Sequence, residues 1–151
     1  MGDVLPDQNA RGSGVPWHLW VVGVLGLLWN LFGAYDYVMS NLRDAEYLKN
    51  FPPEMAAWLD GLTTLNVSAW AIGVWASVAG SLLLLARSRH AVTAFAVSFV
   101  GAVMSFVLQY GQSVPAALDT TGMKVMTAAI IVVIALLWLY ARRMRGQGLL
   151  R

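Results

Sequence analysis

The sequence contains no cysteine and little charge, and these shortages exclude several classes of protein. Without cysteine there is no disulfide, no thiolate metal site and no cysteine nucleophile. Charged residues make up 12% of the chain, against about 25% in soluble domains. The formal net charge is only +2, and the basic residues adjoin apolar runs, so a nucleic-acid partner is not expected.

Catalytic and metal-binding patterns are also missing from the sequence. The two histidines, His18 and His90, are isolated, and neither has another ligand at the spacing of a metal site. The sequence has no glycine-rich phosphate loop, no zincin motif and no Ser-His-Asp order that fits its apolar runs. We therefore expect a non-enzymatic protein with no metal and no cofactor, in which both histidines anchor at a membrane interface.

Long apolar runs are what the sequence has in abundance, with hydrophobic residues at 58% and a mean hydropathy of +0.62. The first run, residues 17–39, reaches roughly 34 Å as a helix, enough for a hydrocarbon core of about 30 Å. Three more runs follow, at residues 63–86, 91–110 and 122–140. They predict an all-α membrane protein with a four-helix transmembrane domain over residues 17–145. A flexible tail is expected at residues 1–16 and a second tail at residues 146–151.

The connection between the first two runs, residues 40–62, is too long and too patterned for a plain linker. Residues 41–49 have a helical composition, and Pro52 and Pro53 then break the chain at a point where proline also suits a new helix start. Apolar residues at helical spacing follow. We expect two short helices here, which serve either as an ordered connector or as a lid that binds a partner or ligand.

The distribution of basic residues predicts the orientation in the membrane. One side holds Arg11, Arg87, Arg89, Arg142, Arg143, Arg145 and Arg151; the other holds Arg43, Lys49 and Lys124. Cytoplasmic loops carry the excess of lysine and arginine in membrane proteins. We therefore predict that both termini are cytoplasmic and that the long connection lies outside.

Small residues recur at helical spacing along the first three spans and predict where helices meet. Lipid is as apolar as leucine, so spans associate through close packing and interhelical hydrogen bonds. The predicted helix-packing residues are Gly26, Gly33, Gly73, Ser77, Ser81 and Ser98. Packing within one chain is the main interpretation, and a homo-oligomer seam is the alternative.

Four polar residues in the outer half of the spans form a candidate cluster: Asn30, Asp36, Asn66 and Gln109. An amide without a hydrogen-bond partner in an apolar medium costs several kcal/mol. The cluster is therefore either interhelical glue or a pocket for a small polar ligand or ion. Asp36 lies near the outer interface, either as a hydrated carboxylate, as a partner of Arg43 or Lys124, or as a proton or cation site.

Three segments carry a resemblance that covers most of the chain: residues 16–23 (PWHLWVVG), 28–38 (LWNLFGAYDYV) and 139–143 (LYARR). With them the chain resembles a group of small four-span inner-membrane proteins of proteobacteria, which are often labelled sugar transporters. The resemblance implies a bacterial inner-membrane location. Small multidrug transporters also have four spans, but they use a glutamate in the first span, and this first span has none.

The main functional expectation is an integral inner-membrane protein without enzymatic activity, with a polar cluster in its outer half. One alternative is a small transporter, or a transporter subunit, for a small polar solute or ion. The other is an accessory subunit of a larger membrane complex. The expected partner in every case is the lipid bilayer.

Overall fold

The computed structural model describes residues 14–151, and in that range the chain forms six helices and no strand. They are α1 (Trp17–Leu42), α2 (Ala45–Leu48), α3 (Glu54–Asp60), α4 (Thr64–Leu85), α5 (Ala91–Tyr110) and α6 (Thr121–Gly146). Four of them, α1, α4, α5 and α6, are long and apolar enough to cross a membrane. The predicted four-span, all-α fold with short helices in the first connection is confirmed, and the protein is a multi-pass membrane protein. Most of the predicted tail at residues 1–16 lies outside the described residues.

Helix ends follow local capping chemistry more closely than they follow hydropathy. The hydroxyls of Thr63 and Thr120 accept hydrogen bonds from backbone N–H groups in the first turns of α4 and α6. Helix α1 continues one turn past its apolar run and stops at Arg43, whose φ of 55° ends the helix in the left-handed region. Helix α6 continues to Gly146 with Arg143 and Arg145 in its last turn, where basic groups favour the helix dipole.

Helices α4 and α5 are in backbone contact. A Cβ atom on Gly101 would lie 2.7 Å from the backbone nitrogen of Gly73, and one on Gly73 would lie 3.0 Å from the nitrogen of Ala102. At the same place, the Ser98 hydroxyl donates a 2.6 Å hydrogen bond to the Gly73 carbonyl. The absence of side chains at both glycines is what allows this approach.

The other two spans pack on the flanks of this pair, α1 on α4 and α6 on α5. The end of the bundle with the α4–α5 turn and the end of α6 is called the terminal end here. A buried apolar cluster fills it, consisting of Leu19, Leu84, Ala91, Phe95, Leu137, Ala141, Met144, Leu149 and Leu150. Backbone hydrogen bonds join Arg151 to Arg87 and Arg89. Residues 147–151 therefore fold back and help to close the terminal end.

The opposite end, called the loop end here, is covered by α2, α3 and the α5–α6 connection. Met55, Leu59 and Leu118 are buried together there. All three basic residues at this end are in ion pairs: Arg43 with Asp60, Lys49 with Glu46 and Lys124 with Asp119. These pairs are largely exposed, so they orient the loops more than they stabilise them.

The α4–α5 contact predicts a large effect of one added methyl group. Gly101→Ala pushes a Cβ against backbone atoms of Gly73 and Ala69, which cannot rotate away, so we expect it to lower the free energy of unfolding by about 1–3 kcal/mol. Equilibrium unfolding in detergent micelles measures this. The control is Gly122→Ala, whose Cβ meets only the Thr120 hydroxyl at 3.8 Å. Equal stability of the two variants would contradict the proposed packing.

Candidate ligand cavity

A cavity of about 420 Å³ lies between the four spans in the loop-end half of the bundle. Small-molecule sites in proteins usually measure about 300–1,000 Å³. All four spans and both short helices line the cavity, and most lining side chains are apolar or aromatic. No lysine, arginine or histidine lines it. Along the spans the lining ends near Asn30, Ser77 and Ile134, and the buried cluster of the terminal end lies beyond them.

The exposed lining residues of the cavity lie mainly on α1 and α6. In the terminal half these two helices touch: a 2.6 Å hydrogen bond joins His18 Nδ1 to the Tyr140 hydroxyl, and Leu137 packs on Gly26. In the loop-end half, lining residues of α1 and α6 are exposed, with Phe32 at 63% and Met126 at 47%. Most lining residues of α4 and α5 are buried or half-buried. The opening therefore faces the hydrocarbon region beside α1 and α6.

Asn30 marks the deep end of the cavity and ties α1 to α4. Its side chain is almost fully buried, and Nδ2 donates to the Ser77 carbonyl at 3.1 Å and to the Ser81 hydroxyl at 2.9 Å. The carbonyl can only accept, so this contact fixes which amide atom points to α4. Among residues 14–151, no donor is hydrogen-bonded to Oδ1 of Asn30, which stays free to accept.

Asp36 lines the loop-end part of the cavity and is held by the first short helix. The Tyr47 hydroxyl donates a 2.5 Å hydrogen bond to Asp36 Oδ1. Burial, and then this hydrogen bond, raises the pKa of Tyr47, so the phenol stays protonated and remains a donor. Of the alternatives for Asp36, the ion pair with Arg43 or Lys124 does not form, because Arg43 pairs with Asp60 and Lys124 with Asp119.

The remaining two residues of the predicted polar cluster lie in different places. Gln109 lines the cavity from α5, and its Nε2 donates to the Ser105 hydroxyl at 2.7 Å. Asn66 is buried at the start of α4 and is not a lining residue. It accepts a hydrogen bond from the Thr63 hydroxyl, while its Nδ2 has no partner among the described residues. The structure thus brings Asn30, Asp36 and Gln109 to one cavity and separates Asn66 from them.

Of the predicted helix-packing residues, Gly26, Gly73, Ser77, Ser81 and Ser98 lie at contacts between spans. Gly33 does not, because a Cβ atom there would have no neighbour within 4 Å. It lines the cavity instead.

Sequence reasoning missed the aromatic lining of the cavity. The eight aromatic lining residues are Trp29, Phe32, Tyr47, Phe51, Trp58, Trp70, Phe106 and Tyr110. Two of them, Tyr47 and Phe51, are one helical turn apart in the first connection and their rings pack together. That spacing was a usable signal for a face of the connection that turns toward the spans.

Comparisons of the chain with protein-family models, with curated proteins and with solved structures find no match. Function is therefore argued from the cavity itself.

The Asn30–Ser81 bond predicts a measurable coupling between α1 and α4. In a double-mutant cycle of Asn30→Ala and Ser81→Ala, we expect a coupling energy of about 0.6 kcal/mol, the average for hydrogen bonds between spans. Unfolding in micelles measures it. A cycle of Asn30→Ala with Ser105→Ala is the control, because Ser105 is also buried but bonds to Gln109. Additive behaviour in both cycles would rule out the coupling.

Proposed function

We propose that this membrane protein is a non-enzymatic binding protein that takes up an amphipathic molecule from the surrounding bilayer. The single observation that supports the proposal is the cavity of about 420 Å³, whose exposed lining residues lie mainly on α1 and α6. A ligand that enters there comes from hydrocarbon and keeps its apolar part in contact with apolar surface throughout.

The chemistry of the lining supports an amphipathic ligand over a fully apolar one. Asn30, Asp36 and Gln109 present polar atoms along a mostly apolar and aromatic wall. A few placed polar groups in an apolar site fix the orientation of a ligand and reject others. A fully apolar molecule leaves the Asn30 carbonyl oxygen and the second Asp36 oxygen without a partner, which costs free energy.

Closure of the terminal end favours binding over conduction. The cavity ends near Ser77 and Ile134, and the apolar cluster beyond it includes the fully buried side chains of Leu19, Phe95 and Leu84. An aqueous path across the bundle requires α1 and α6 to separate at His18 and Tyr140. The transporter and accessory-subunit functions are alternatives to the binding function. A transporter with this cavity requires a conformational change of the spans, and an accessory subunit requires a partner protein.

The proposal places the chain in a bacterial inner membrane with the loop end outside. The loop end pairs each of its three basic residues with a carboxylate. At the terminal end, the arginines from Arg87 to Arg151 form no ion pair within residues 14–151. Six arginines lie at the terminal end against three basic residues at the loop end, and the cytoplasmic side of a membrane protein carries the excess of lysine and arginine. The cavity then opens toward the outer leaflet.

Filling the cavity at Gly33 is expected to block uptake. Gly33→Leu adds a side chain to the lining where a Cβ has open space, and leucine also suits a helix better than glycine. The probe is a long-chain alcohol with a photoreactive diazirine, in phosphatidylcholine bicelles, with labelled peptides identified by mass spectrometry. We expect labelling near Phe32 and Met126 in the native chain and at least a tenfold loss in the variant.

Two controls accompany this measurement. Gly146→Leu makes the same change at a glycine with open space at the other end of α6, outside the cavity, and should leave labelling unchanged. Labelling of the exposed residues Val100 and Leu136, which are not lining residues, should persist in every variant. Undiminished labelling at Phe32 in Gly33→Leu would refute the binding function.

The orientation can be tested by labelling introduced cysteines, because the native chain has no cysteine that would react as well. Glu54→Cys places one thiol at the loop end, and Gly146→Cys places one at the terminal end; both positions are exposed. In intact spheroplasts, a membrane-impermeant maleimide is expected to label only Glu54→Cys. Gly146→Cys should react after permeabilisation. The reverse pattern would overturn the proposed orientation.

A further inference from the structure

We infer that the cavity selects a lipophilic organic cation, whose ammonium group lies between the Asp36 carboxylate and the aromatic rings of the loop-end half. This inference rests on the proposed function, because it names the class of amphipathic molecule that the same cavity binds. Hydrogen-bond inventory, charge and aromatic content support it separately.

The cavity offers hydrogen-bond acceptors at Asn30 and Asp36, while the donors nearest to them are used within the protein. Nδ2 of Asn30 donates to α4, and Nε2 of Gln109 donates to Ser105. The Tyr47 hydroxyl donates to Asp36. Trp58 Nε1 and the Tyr110 hydroxyl form no hydrogen bond within residues 14–151 and stay available as donors. The acceptors that remain are the Asn30 carbonyl oxygen, which has no partner in the same range, and the second oxygen of Asp36. A ligand that fits these groups brings hydrogen-bond donors, as an ammonium group does.

The charge of the cavity has one sign. Asp36 is the only carboxylate among the lining residues, and no basic residue lines the cavity. The basic residues at this end are engaged elsewhere, since Arg43 pairs with Asp60, Lys49 with Glu46 and Lys124 with Asp119. The carboxylate therefore has no cationic partner within the described chain, and a bound cation supplies one.

The aromatic walls suit the same head group. Tyr47, Phe51 and Trp58 cover the loop end of the cavity, and Trp29, Trp70 and Phe106 line its sides. The faces of such rings attract cations, and the attraction grows when water is excluded. Phosphate and carboxylate head groups meet the opposite situation, with repulsion from Asp36 and no basic side chain in the lining to offset it. A lipid phosphate is therefore a poor occupant of this site.

The experiment displaces the photoreactive alcohol from the cavity with three competitors that share a twelve-carbon chain. They are dodecylamine, which is cationic at neutral pH, dodecanol, which is neutral, and dodecyl phosphate, which is anionic. We expect dodecylamine to displace the label at a concentration about tenfold or more below that of dodecanol, since removal of one buried charge–charge contact is worth at least that factor. Dodecyl phosphate should be the weakest competitor.

Two variants with the same change in charge locate the effect. Asp36→Asn keeps the size of the side chain and an acceptor for Tyr47, and in this variant the advantage of dodecylamine over dodecanol should fall to about twofold or less. Glu54→Gln removes a carboxylate that is at the loop end but outside the cavity, and the advantage should persist.

The outcomes separate the two proposals. If the alcohol fails to label the cavity in the native chain, the proposed function fails. If the alcohol labels it but dodecylamine and dodecanol compete equally, or if Asp36→Asn keeps the preference for dodecylamine, the inferred ligand class is overturned and the binding function stands.

Discussion

The backbone contact between α4 and α5 at Gly73 and Gly101 is the interaction on which the rest of the bundle depends. Within lipid, apolar burial does not hold helices together, and only close packing and polar contacts do. This pair supplies both, because two backbones touch beside the Ser98 hydrogen bond. Helix α1 then attaches to α4 and helix α6 to α5. Since α1 and α6 touch through their terminal halves, their loop-end halves remain apart and the space between them becomes the cavity.

The same polar side chains hold the helices together and face the cavity. Asn30 gives both of its amide donors to α4 and turns its acceptor away from that helix. Asp36 accepts from Tyr47, and this single contact fixes the first short helix over the loop end of the cavity. An amide or carboxylate whose only role was to join helices would have a protein hydrogen-bond partner for each of its polar atoms. Here the side chains of Asn30 and Asp36 each keep one oxygen that can accept a further hydrogen bond.

Hydropathy was sufficient to predict the four spans, because their length and composition are set by the bilayer and not by neighbouring helices. The cavity could not be predicted from hydropathy, because it depends on which helix faces contact each other. Gly33 belongs to the same row of small residues as Gly26. The sequence pattern is the same whether such a residue faces a helix, as Gly26 does, or open space, as Gly33 does. Asn66 and Gln109 are similar in type, and Asn66 shares a face of α4 with the lining residues Trp70 and Gly73, but it lies one turn nearer the start of the helix, where it bonds to Thr63 and is not a lining residue. The left-handed turn at Arg43, which ends α1, brings Tyr47 back to Asp36, and residue spacing alone does not reveal that turn.

Three tryptophans line the cavity, Trp29, Trp58 and Trp70, so the intrinsic fluorescence of the chain reports on what the cavity contains. Indole emission shifts in colour and intensity with the polarity of its surroundings, and these rings belong to three separate helices. Any molecule that replaces water or lipid beside them changes the emission without an attached dye. The other four tryptophans of the chain lie outside the cavity wall and supply a constant background. Occupancy can thus be followed in real time, in a native bilayer and on an unlabelled protein.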